Sequence, residues 1–381
     1  RWHGPADSIY AAHRADNELD VRAGFGSTLA AFISASGGAS VGQYGPLVHF
    51  GATMGSFLRQ MTGGVLTTDV FIGCGVAGAI AAGFNAPIAG LIFAHEAILR
   101  HFSMRAIAPI AIASISAVWF TDRLFDVEPL FSMDSSGFDM TQMLPSALVA
   151  GPVFGIVAVL FMLAIRSSAR FAARSGWSPA RLLFVAAVIT GLAGTAVPEV
   201  LGLGTGPLAH MLEGGFEFEF LAVLLVLKLV LTALCIGFGM FGGVFSPALF
   251  VGAAAGAICG RIMAALGIIG AAPTLSICGM AAVASAVIGA PVSGVVIILE
   301  MTVSYEFALA AMLSIVVAIM VSNLLFGHSF FDRQLLDRGI DVAQGRGHIE
   351  MMEIPIVSIV DKGFTKVHPE AQSSKVVKLL A

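Results

Sequence analysis

Charged residues divide this sequence into long apolar stretches. Eight long stretches contain no Asp, Glu, Lys or Arg: 23–58, 70–95, 106–121, 140–165, 182–198, 229–260, 262–299 and 307–331. Because a helix needs about 20 apolar residues to cross a bilayer, this pattern predicts an all-α, polytopic membrane protein. Glycine and proline interrupt several stretches, as at 37–46 and 237–247. Irregular backbone at membrane depth has to be buried in protein or line a cavity, so we predict broken, re-entrant helices along a transport pathway.

Two patterns of small residues and proline occur twice along the chain. The pattern G-x-x-x-P-x-x-x-x-G-A begins at Gly42 and again at Gly243. The pattern A-P-x-x-G-x-x-x-x-x-E begins at Ala86 and again at Ala290. The first prolines of the two patterns are 41 residues apart in the first half and 44 residues apart in the second. The shared order and spacing predict an internal duplication.

We place repeat 1 at about 1–122 and repeat 2 at about 140–331. Repeats of this kind in transporters are often inverted, with the substrate site at their interface near the membrane midplane. The second pattern ends at Glu96 in one half and at Glu300 in the other. These symmetric positions favour a structural role at a helix junction over a role in proton transport.

The glycine-rich breaks have a predictable electrostatic character. A proline after such a bend fits the first turn of a helix, where its missing N–H costs nothing. The segments Gln43–Pro46 and Val244–Pro247 are therefore predicted helix N-termini inside the membrane. A helix N-terminus carries about half a positive charge and unpaired N–H donors, which suits an anion. Neither segment contains the carboxylate that a cation pathway usually needs, so we favour an anion pathway.

Composition narrows the functional classes further. Of the 381 residues, 57% are apolar and 12% are charged, and the mean hydropathy is +0.91. The net charge of −4 gives no basic excess, so we expect no nucleic-acid partner. In the segment "HEAILRH" (95–101), Leu99 stands where the zinc motif H-E-x-x-H needs its second histidine. We therefore predict neither an enzyme nor a metal site.

The short linkers give an orientation. The 166–181 linker carries four arginines and no acidic residue, so it is predicted to be cytoplasmic. The acidic 122–139 linker then lies outside, because the 140–165 stretch is about one tilted crossing long. From about residue 332 the sequence becomes mixed in charge. By this orientation the C-terminal tail is cytoplasmic.

Four motifs in this order resemble the CLC chloride channels and chloride/proton antiporters. The matching segments are "GQYGPLVHFGA" (42–52), "GFNAPIAGLIFAHE" (83–96), "GFGMFGGVFSPALFVGA" (237–253) and "GAPVSGVVIILEMTVSY" (289–305). The resemblance implies an inverted-repeat CLC-type fold, a homodimer with one anion pathway per subunit, and chloride as the transported ligand, with no resident cofactor. We expect a multi-pass protein of a bacterial inner membrane.

The resemblance also implies particular site residues. The anion is expected to bind backbone N–H groups of Val244 and Phe245, the hydroxyl of Tyr305, and N–H groups of Gly42, Gln43, Tyr44 and Gly45. The family's G-S-G-x-P serine falls in "RWHGP" (1–5), where Trp2 or His3 takes its place. Lys228 lies in an apolar run at a position where the family often has a basic residue. It either attracts anions or extends its amine to a membrane interface.

Two departures from the family bear on mechanism. Tyr44 replaces the family's gating glutamate, and Ala97 replaces its proton-relaying glutamate. Ionising Tyr44 at pH 7 would cost roughly 4 kcal/mol, because the reference pKa of tyrosine is about 10 and that of glutamate about 4.3. We therefore predict passive chloride conduction with Tyr44 as the gate. The alternative is chloride/proton antiport through a rearranged path that uses His49, His95 or Glu96.

Two further expectations complete the sequence-based prediction. A cation-coupled solute transporter is a remote alternative, because the breaks lack carboxylates and hydroxyl-rich ion sites. Residues 1–340 are predicted to form the transmembrane domain. Residues 341–381 are predicted to form a linker and the truncated start of a cytoplasmic CBS domain.

Overall fold

The structure is a computed structural model. It describes residues 4–14, 17, 19–62, 66–125, 139–268, 271–344, 349 and 351. Within these residues, the regular elements are helices, joined at one point by an isolated β-bridge. The predicted all-α fold is confirmed. Most of the predicted CBS segment and residues 1–3 lie outside the described part of the chain, and the domain boundaries stay a prediction.

Fifteen α-helices follow one another in the described residues. They are α1 (Pro5–His13), α2 (Val21–Ser36), α3 (Tyr44–Thr62), α4 (Thr68–Phe84), α5 (Pro87–Phe93), α6 (Met104–Phe125), α7 (Met140–Arg174), α8 (Pro179–Ala196), α9 (Thr205–Leu212), α10 (Phe218–Gly237), α11 (Phe245–Ala265), α12 (Ala271–Ile288), α13 (Pro291–Thr302), α14 (Tyr305–Leu325) and α15 (Phe330–Leu336). A π-helix (Ala94–Leu99) continues α5, and 3₁₀ turns form at Pro198–Val200 and Val342–Gln344. Seven helical segments of this part of the chain are long and apolar enough to cross a membrane.

Local sequence explains where several helices begin. Proline is the first residue of α1, α5, α8 and α13, a position that requires no backbone N–H donor. The side chains of Asp20 and Ser178 accept hydrogen bonds from first-turn N–H groups of α2 and α8. Caps of this kind stabilise a helix by about 1 kcal/mol each.

The internal duplication is visible in two equivalent helix crossings. In the first half, α3 crosses α4 with Gly51 against the backbone of Gly75. In the second half, α11 crosses α12 with Gly252 against the backbone of Gly279. A Cβ atom at any of these positions would overlap the facing main chain, so only glycine allows such close approach. Gly51 and Gly252 are the glycines that end the first repeated pattern.

The two halves are inverted relative to each other. Glu300, near the end of α13, accepts hydrogen bonds from the N–H groups of Ile88 (3.0 Å) and Ala89 (2.7 Å) at the start of α5. In the same way, Glu96 accepts hydrogen bonds of 2.9 and 2.7 Å from first-turn N–H groups of α13. Each helix therefore ends beside the start of the other, so α5 and α13 are antiparallel. Equivalent helices that run antiparallel are the signature of an inverted repeat.

The most buried helices lie in the second half. In α12, 89% of the 18-residue apolar stretch is buried inside the protein, whereas in α6 the buried share of the corresponding stretch is 17%. The outer faces of α6, α8 and α14 instead expose large apolar side chains, as a lipid-facing surface requires. Examples are Ile112, Ile115, Phe120, Phe184, Leu192, Met320 and Leu324.

Candidate anion site

The two predicted breaks meet inside the protein. The N–H of Gly42 donates to the carbonyl of Gly243 at 2.8 Å, and the N–H of Gly243 donates to the carbonyl of Gly42 at 2.7 Å. This reciprocal pair is the isolated antiparallel bridge of the fold. The starts of α3 and α11 therefore converge on one point, as the repeated G-x-x-x-P pattern predicts.

Close approach explains why glycine occupies this junction. A Cβ on Gly42 would lie 2.9 Å from the carbonyl oxygen of Gly243 and 2.9 Å from Cδ of Pro247. A Cβ on Gly45 would lie 2.9 Å from Cα of Gly243. Real Cβ atoms do not make such contacts, so a larger residue would push the two helix starts apart. The glycines thus set the distance between the two N-termini.

Three helix N-termini point into this region. The helices α3 and α11 begin next to the bridge, and Pro5, the first residue of α1, lines the cavity beside it. The first N–H groups of a helix have no partner within the helix, and each end carries about half a positive charge. The arrangement favours an anion. It brings together six predicted site residues: Gly42, Gln43, Tyr44, Gly45, Val244 and Phe245. The predicted role of the Gly42 N–H as an anion donor is wrong, because this N–H donates to the carbonyl of Gly243.

A small apolar cavity lies beside the junction. It is lined by Pro5, Ile9, Tyr44, Gly45, Val48, Ile80, Phe93, Ala97, Ile98, Phe245, Ile288 and Phe331. Its volume is about 10 Å³, which is at the lower limit for a single water molecule. A chloride ion is larger than water, so this part of the pathway is closed in the structure. Among the described residues, the lining contains no carboxylate, histidine or lysine.

Tyr44 is held at this cavity by three contacts. Its ring stacks on Phe84 with 3.9 Å between centroids and meets Phe245 edge-on at 5.6 Å. Its hydroxyl donates to the carbonyl of Gly83 at 3.2 Å. The side chain is 5% exposed. The phenol therefore closes the cavity with its ring while its hydroxyl is bonded to the main chain.

Comparison with known proteins identifies the family. The sequence profile described as "Voltage gated chloride channel" matches residues 2–323, which is most of the chain. The chain belongs to the voltage-gated chloride channel (CLC) family.

Individual relatives within the CLC family agree with this assignment. A ClcB-like protein of Ralstonia nicotianae is 30% identical over 345 residues, covering 87% of this chain and 79% of the relative. An H(+)/Cl(−) exchange transporter, ClcA of Vibrio campbellii, is 29% identical over 322 residues, covering 79% of this chain and 66% of the relative. The relatives therefore include proteins named as channels and proteins named as exchangers.

Solved structures support the fold. A slow cyanobacterial Cl−/H+ antiporter superimposes with a TM-score of 0.78 at 19% identity, covering 88% of this chain and 80% of that chain. A eukaryotic CLC transporter superimposes with a TM-score of 0.67 at 21% identity, covering 87% of this chain and 58% of that chain. The predicted inverted-repeat CLC-type fold is confirmed.

The predicted role of Tyr305 is wrong in this structure. Tyr305 is the first residue of α14, and its side chain is 63% exposed on the outside of the protein. The aromatic side chain that reaches the cavity from this end of the chain is Phe331, in the first turn of α15. The sequence signal for α15 is the helix-capping pair Ser329 and Asp332, whose side chains hydrogen bond at 2.7 Å.

The two symmetric glutamates have the structural role that their positions favour. The carboxylate of Glu96 accepts hydrogen bonds from the N–H groups of Val292 and Ser293, and a third, at 2.6 Å, from the hydroxyl of Ser293. Glu300 caps α5 in the same way. Each carboxylate satisfies donors that the partner helix cannot pair by itself.

Ala97 lies at a point where the two repeats differ in length by one residue. The segment formed by α5 and the π-helix ends at Leu99, and the equivalent α13 ends at Thr302. Each is followed by a residue in the left-handed conformation, Arg100 (φ 56°) or Val303 (φ 51°). Measured from the aligned Glu96 and Glu300, the first segment contains one residue more. The π-helix absorbs this residue, and Ala97 within it lines the cavity.

Lys228 does not extend to an interface. Its side chain is fully buried, its amine donates to the carbonyls of Val200 (3.0 Å) and Gly202 (2.8 Å), and it lies 5.0 Å from the ring centroid of Phe250. The N–H of Gly202 in turn donates to the carbonyl of Gly38, just before the first break, at 3.2 Å. Lys228 thus connects the approach to the first break with α11.

Ser246 is a site residue that the sequence analysis missed. It is the second residue of α11, is 6% exposed, and its hydroxyl has no hydrogen-bond partner among the described residues. A Cβ on Gly42 would lie 2.9 Å from this hydroxyl, which puts it at the junction of the two breaks. The signal was the serine inside the repeated G-x-x-x-P segment.

The histidines near the site have different surroundings. His49 is buried in α3, and its Nδ1 lies 2.8 Å from the hydroxyl of Ser8 in α1. His95 is fully buried in the π-helix, with Nδ1 3.0 Å from the carbonyl of Leu91 and the ring stacked on Phe102. Among the described residues, no three His, Cys, Asp or Glu side chains form a group that could hold a metal ion.

Proposed function

We propose that this protein conducts chloride passively, without moving protons. The observation that carries this proposal is the lining of the closed cavity, where Tyr44 and Ala97 occupy the positions of the family's two proton-handling glutamates. Coupled exchange needs a group that alternates between neutral and charged forms in step with the anion. Neither side chain does so near neutral pH.

The anion is bound mainly by main-chain donors. The converging N-termini of α3 and α11 supply N–H groups at Gln43, Tyr44, Gly45, Val244 and Phe245. Such a site needs no cationic side chain, because the helix ends supply both charge and donors. The hydroxyl of Ser246 is a further donor at the same junction. Tyr305 is not part of this proposal.

Tyr44 is the gate of this pathway. Its ring closes the cavity against Phe245 and Phe84. Rotation of the phenol away from Phe84 widens the pathway and breaks the hydrogen bond to the carbonyl of Gly83. The anion can therefore pass when the Tyr44 ring rotates and gives up these contacts.

Chloride/proton antiport through a rearranged route is the second candidate. The observation in its favour is His95, which is fully buried and whose Nε2 has no hydrogen-bond partner among the described residues. Relatives named as exchangers also support it. Glu96 is a weaker relay, because three donors already engage its carboxylate.

Assembly and location follow from the family and from the linkers. We expect a homodimer in a bacterial inner membrane, with residues 166–181, at the end of α7 and the start of α8, and the C-terminal tail in the cytoplasm. The exposed apolar faces of α6 and α14 suit contact with lipid or with a second subunit.

Liposome flux measurements test this proposal. Vesicles loaded with chloride and clamped with potassium and valinomycin are diluted into low chloride, and external chloride and pH are recorded together. Passive conduction predicts brisk chloride efflux with a flat external pH. Steady proton uptake against its own gradient, lost in His95→Ala, would instead establish antiport.

A further inference from the structure

A second cavity lies beside the C-terminal half of α7, at the start of the arginine-rich segment. Its volume is about 200 Å³. Part of its wall is apolar and is formed by Met162, Ile165 and Phe326. Its rim carries the guanidinium groups of Arg166, on α7, and Arg333, on α15. The cavity is therefore apolar on one side and positively charged on the other.

The two arginines at the rim share one carboxylate. Nη2 of Arg166 lies 2.6 Å from Oδ1 of Asp337, and Nε of Arg333 lies 3.6 Å from the same oxygen. The Asp337 side chain is 47% exposed. Two guanidinium groups therefore face one carboxylate at the rim, and no acidic residue occurs between 166 and 181. The rim thus keeps a net positive charge.

Gln334 adds a specific polar group to the same cavity. It lines the cavity, and its side-chain amide oxygen is buried with no hydrogen-bond partner among the described residues. A buried acceptor without a donor is costly. A ligand that also carries a donor, such as a hydroxyl, would remove this cost.

We propose that this cavity binds an anionic phospholipid of the adjacent leaflet, of the phosphatidylglycerol type. The phosphate pairs with Arg166 and Arg333, since planar guanidinium groups match phosphate oxygens. A headgroup hydroxyl donates to Gln334, and the acyl chain covers the apolar wall. Basic pockets between membrane helices bind anionic headgroups in this way.

A lipid fits this cavity better than a free anion does. The α7 surface leading to Arg166 exposes Leu160 and Leu163, at 52% and 41%, so the apolar wall continues onto a lipid-facing surface. A free phosphate would fill the charged rim and leave that wall uncovered. The lipid also contacts Phe330, which lines this cavity, while its neighbour Phe331 lines the anion cavity. Binding here therefore acts on α15, which reaches both cavities.

The site is tested with variants that remove a rim arginine, which should weaken lipid binding, and with a variant that removes the rim carboxylate, which should not. The full chain in phosphatidylcholine nanodiscs is titrated with fluorescent phosphatidylglycerol. We expect Arg166→Gln and Arg333→Gln each to weaken binding about fivefold, the effect of one basic residue near an anionic headgroup. Asp337→Asn breaks the same ion pairs but frees both guanidinium groups, so it should bind lipid at least as tightly as the unchanged chain. Arg170→Gln, outside the cavity, is the matched control and should bind as the unchanged chain does.

The results that would overturn the proposal are distinct. If Asp337→Asn weakened binding as much as Arg166→Gln, the ion pairs would be purely structural. If Arg170→Gln weakened binding equally, the attraction would be a general surface effect. A third result would be that inorganic phosphate binds, with the effects of the variants expected for the lipid, while phosphatidylglycerol does not bind. The ligand would then be a soluble anion. Thermal melting of each variant shows that the chain is folded.

Chloride efflux tests the connection to the anion site. Efflux by the unchanged chain should change at least twofold when phosphatidylglycerol replaces part of the phosphatidylcholine in the vesicles. The double variant of Arg166→Gln with Arg333→Gln should show no such change. Equal efflux by the unchanged chain in both lipids would overturn the connection.

Discussion

Replacing Tyr44 by alanine should open the pathway, and the structure sets the size of the effect. The ring makes two aromatic contacts, with Phe84 at 3.9 Å and with Phe245 at 5.6 Å between centroids. Each such pair is worth about 0.5–1.5 kcal/mol. The hydrogen bond to Gly83 is long, 3.2 Å, so about 0.5 kcal/mol suits it. Together these contacts hold the gate closed by about 1.5–3.5 kcal/mol.

This free energy converts directly into flux. One factor of ten corresponds to about 1.4 kcal/mol, so Tyr44→Ala should raise chloride efflux about 10- to 300-fold if closure by the ring is limiting. Tyr44→Phe removes only the hydrogen bond and should raise efflux about twofold. The control is Phe50→Ala in the same helix, whose ring pairs with Phe25 and is not among the residues lining the cavity. It should leave efflux unchanged.

The assay is chloride efflux from liposomes with equal amounts of folded protein per vesicle. Unchanged efflux in Tyr44→Ala would refute the gate, since the cavity would then be closed by something other than the phenol. An equal rise in Phe50→Ala would show that loosening of α3, and not removal of the gate, increases flux.

Three further predictions follow from the contacts described above. Glu96→Gln should lower the melting temperature, because a single amide oxygen replaces the carboxylate that accepts three hydrogen bonds, at a cost of about 1–2 kcal/mol; an unchanged melting temperature would contradict the capping role. Tyr305→Phe should leave chloride affinity in isothermal titration unchanged, because the side chain is 63% exposed and outside the site; a marked loss of affinity would restore it to the site. A cysteine at Ala173, in the arginine-rich region, should resist an impermeant thiol reagent in right-side-out vesicles; rapid labelling would reverse the orientation.

The parts of the site that follow from local sequence were predictable. A break in a membrane helix needs glycine and proline at fixed spacing, and the two halves carry the same pattern at Gly42 and Gly243. Duplication with inversion then requires the two breaks to approach each other. The bridge between these glycines is the direct result. The symmetric glutamates were predictable for the same reason, since equivalent positions in both repeats must satisfy equivalent donors.

The parts that depend on distant packing were not predictable. Tyr305 and Phe331 both follow the last repeated pattern, and only the path of α14 decides which of them reaches the cavity. The extra residue of the π-helix comes after Glu96, so the repeated motif, which ends at Glu96, does not include it. Burial of Lys228 depends on the Val200–Gly202 segment, which comes from a different part of the chain. Spacing along one sequence carries no information on such contacts.

The most direct test of passive conduction is the voltage at which net chloride flux is zero. Purified protein in liposomes is given a fixed chloride gradient, the voltage is set with potassium and valinomycin, and external pH is varied while internal pH is constant. Passive conduction predicts that the zero-flux voltage depends on the chloride gradient alone and does not move with pH. A zero-flux voltage that shifts steadily with the pH gradient would contradict the account and show that chloride and protons move together.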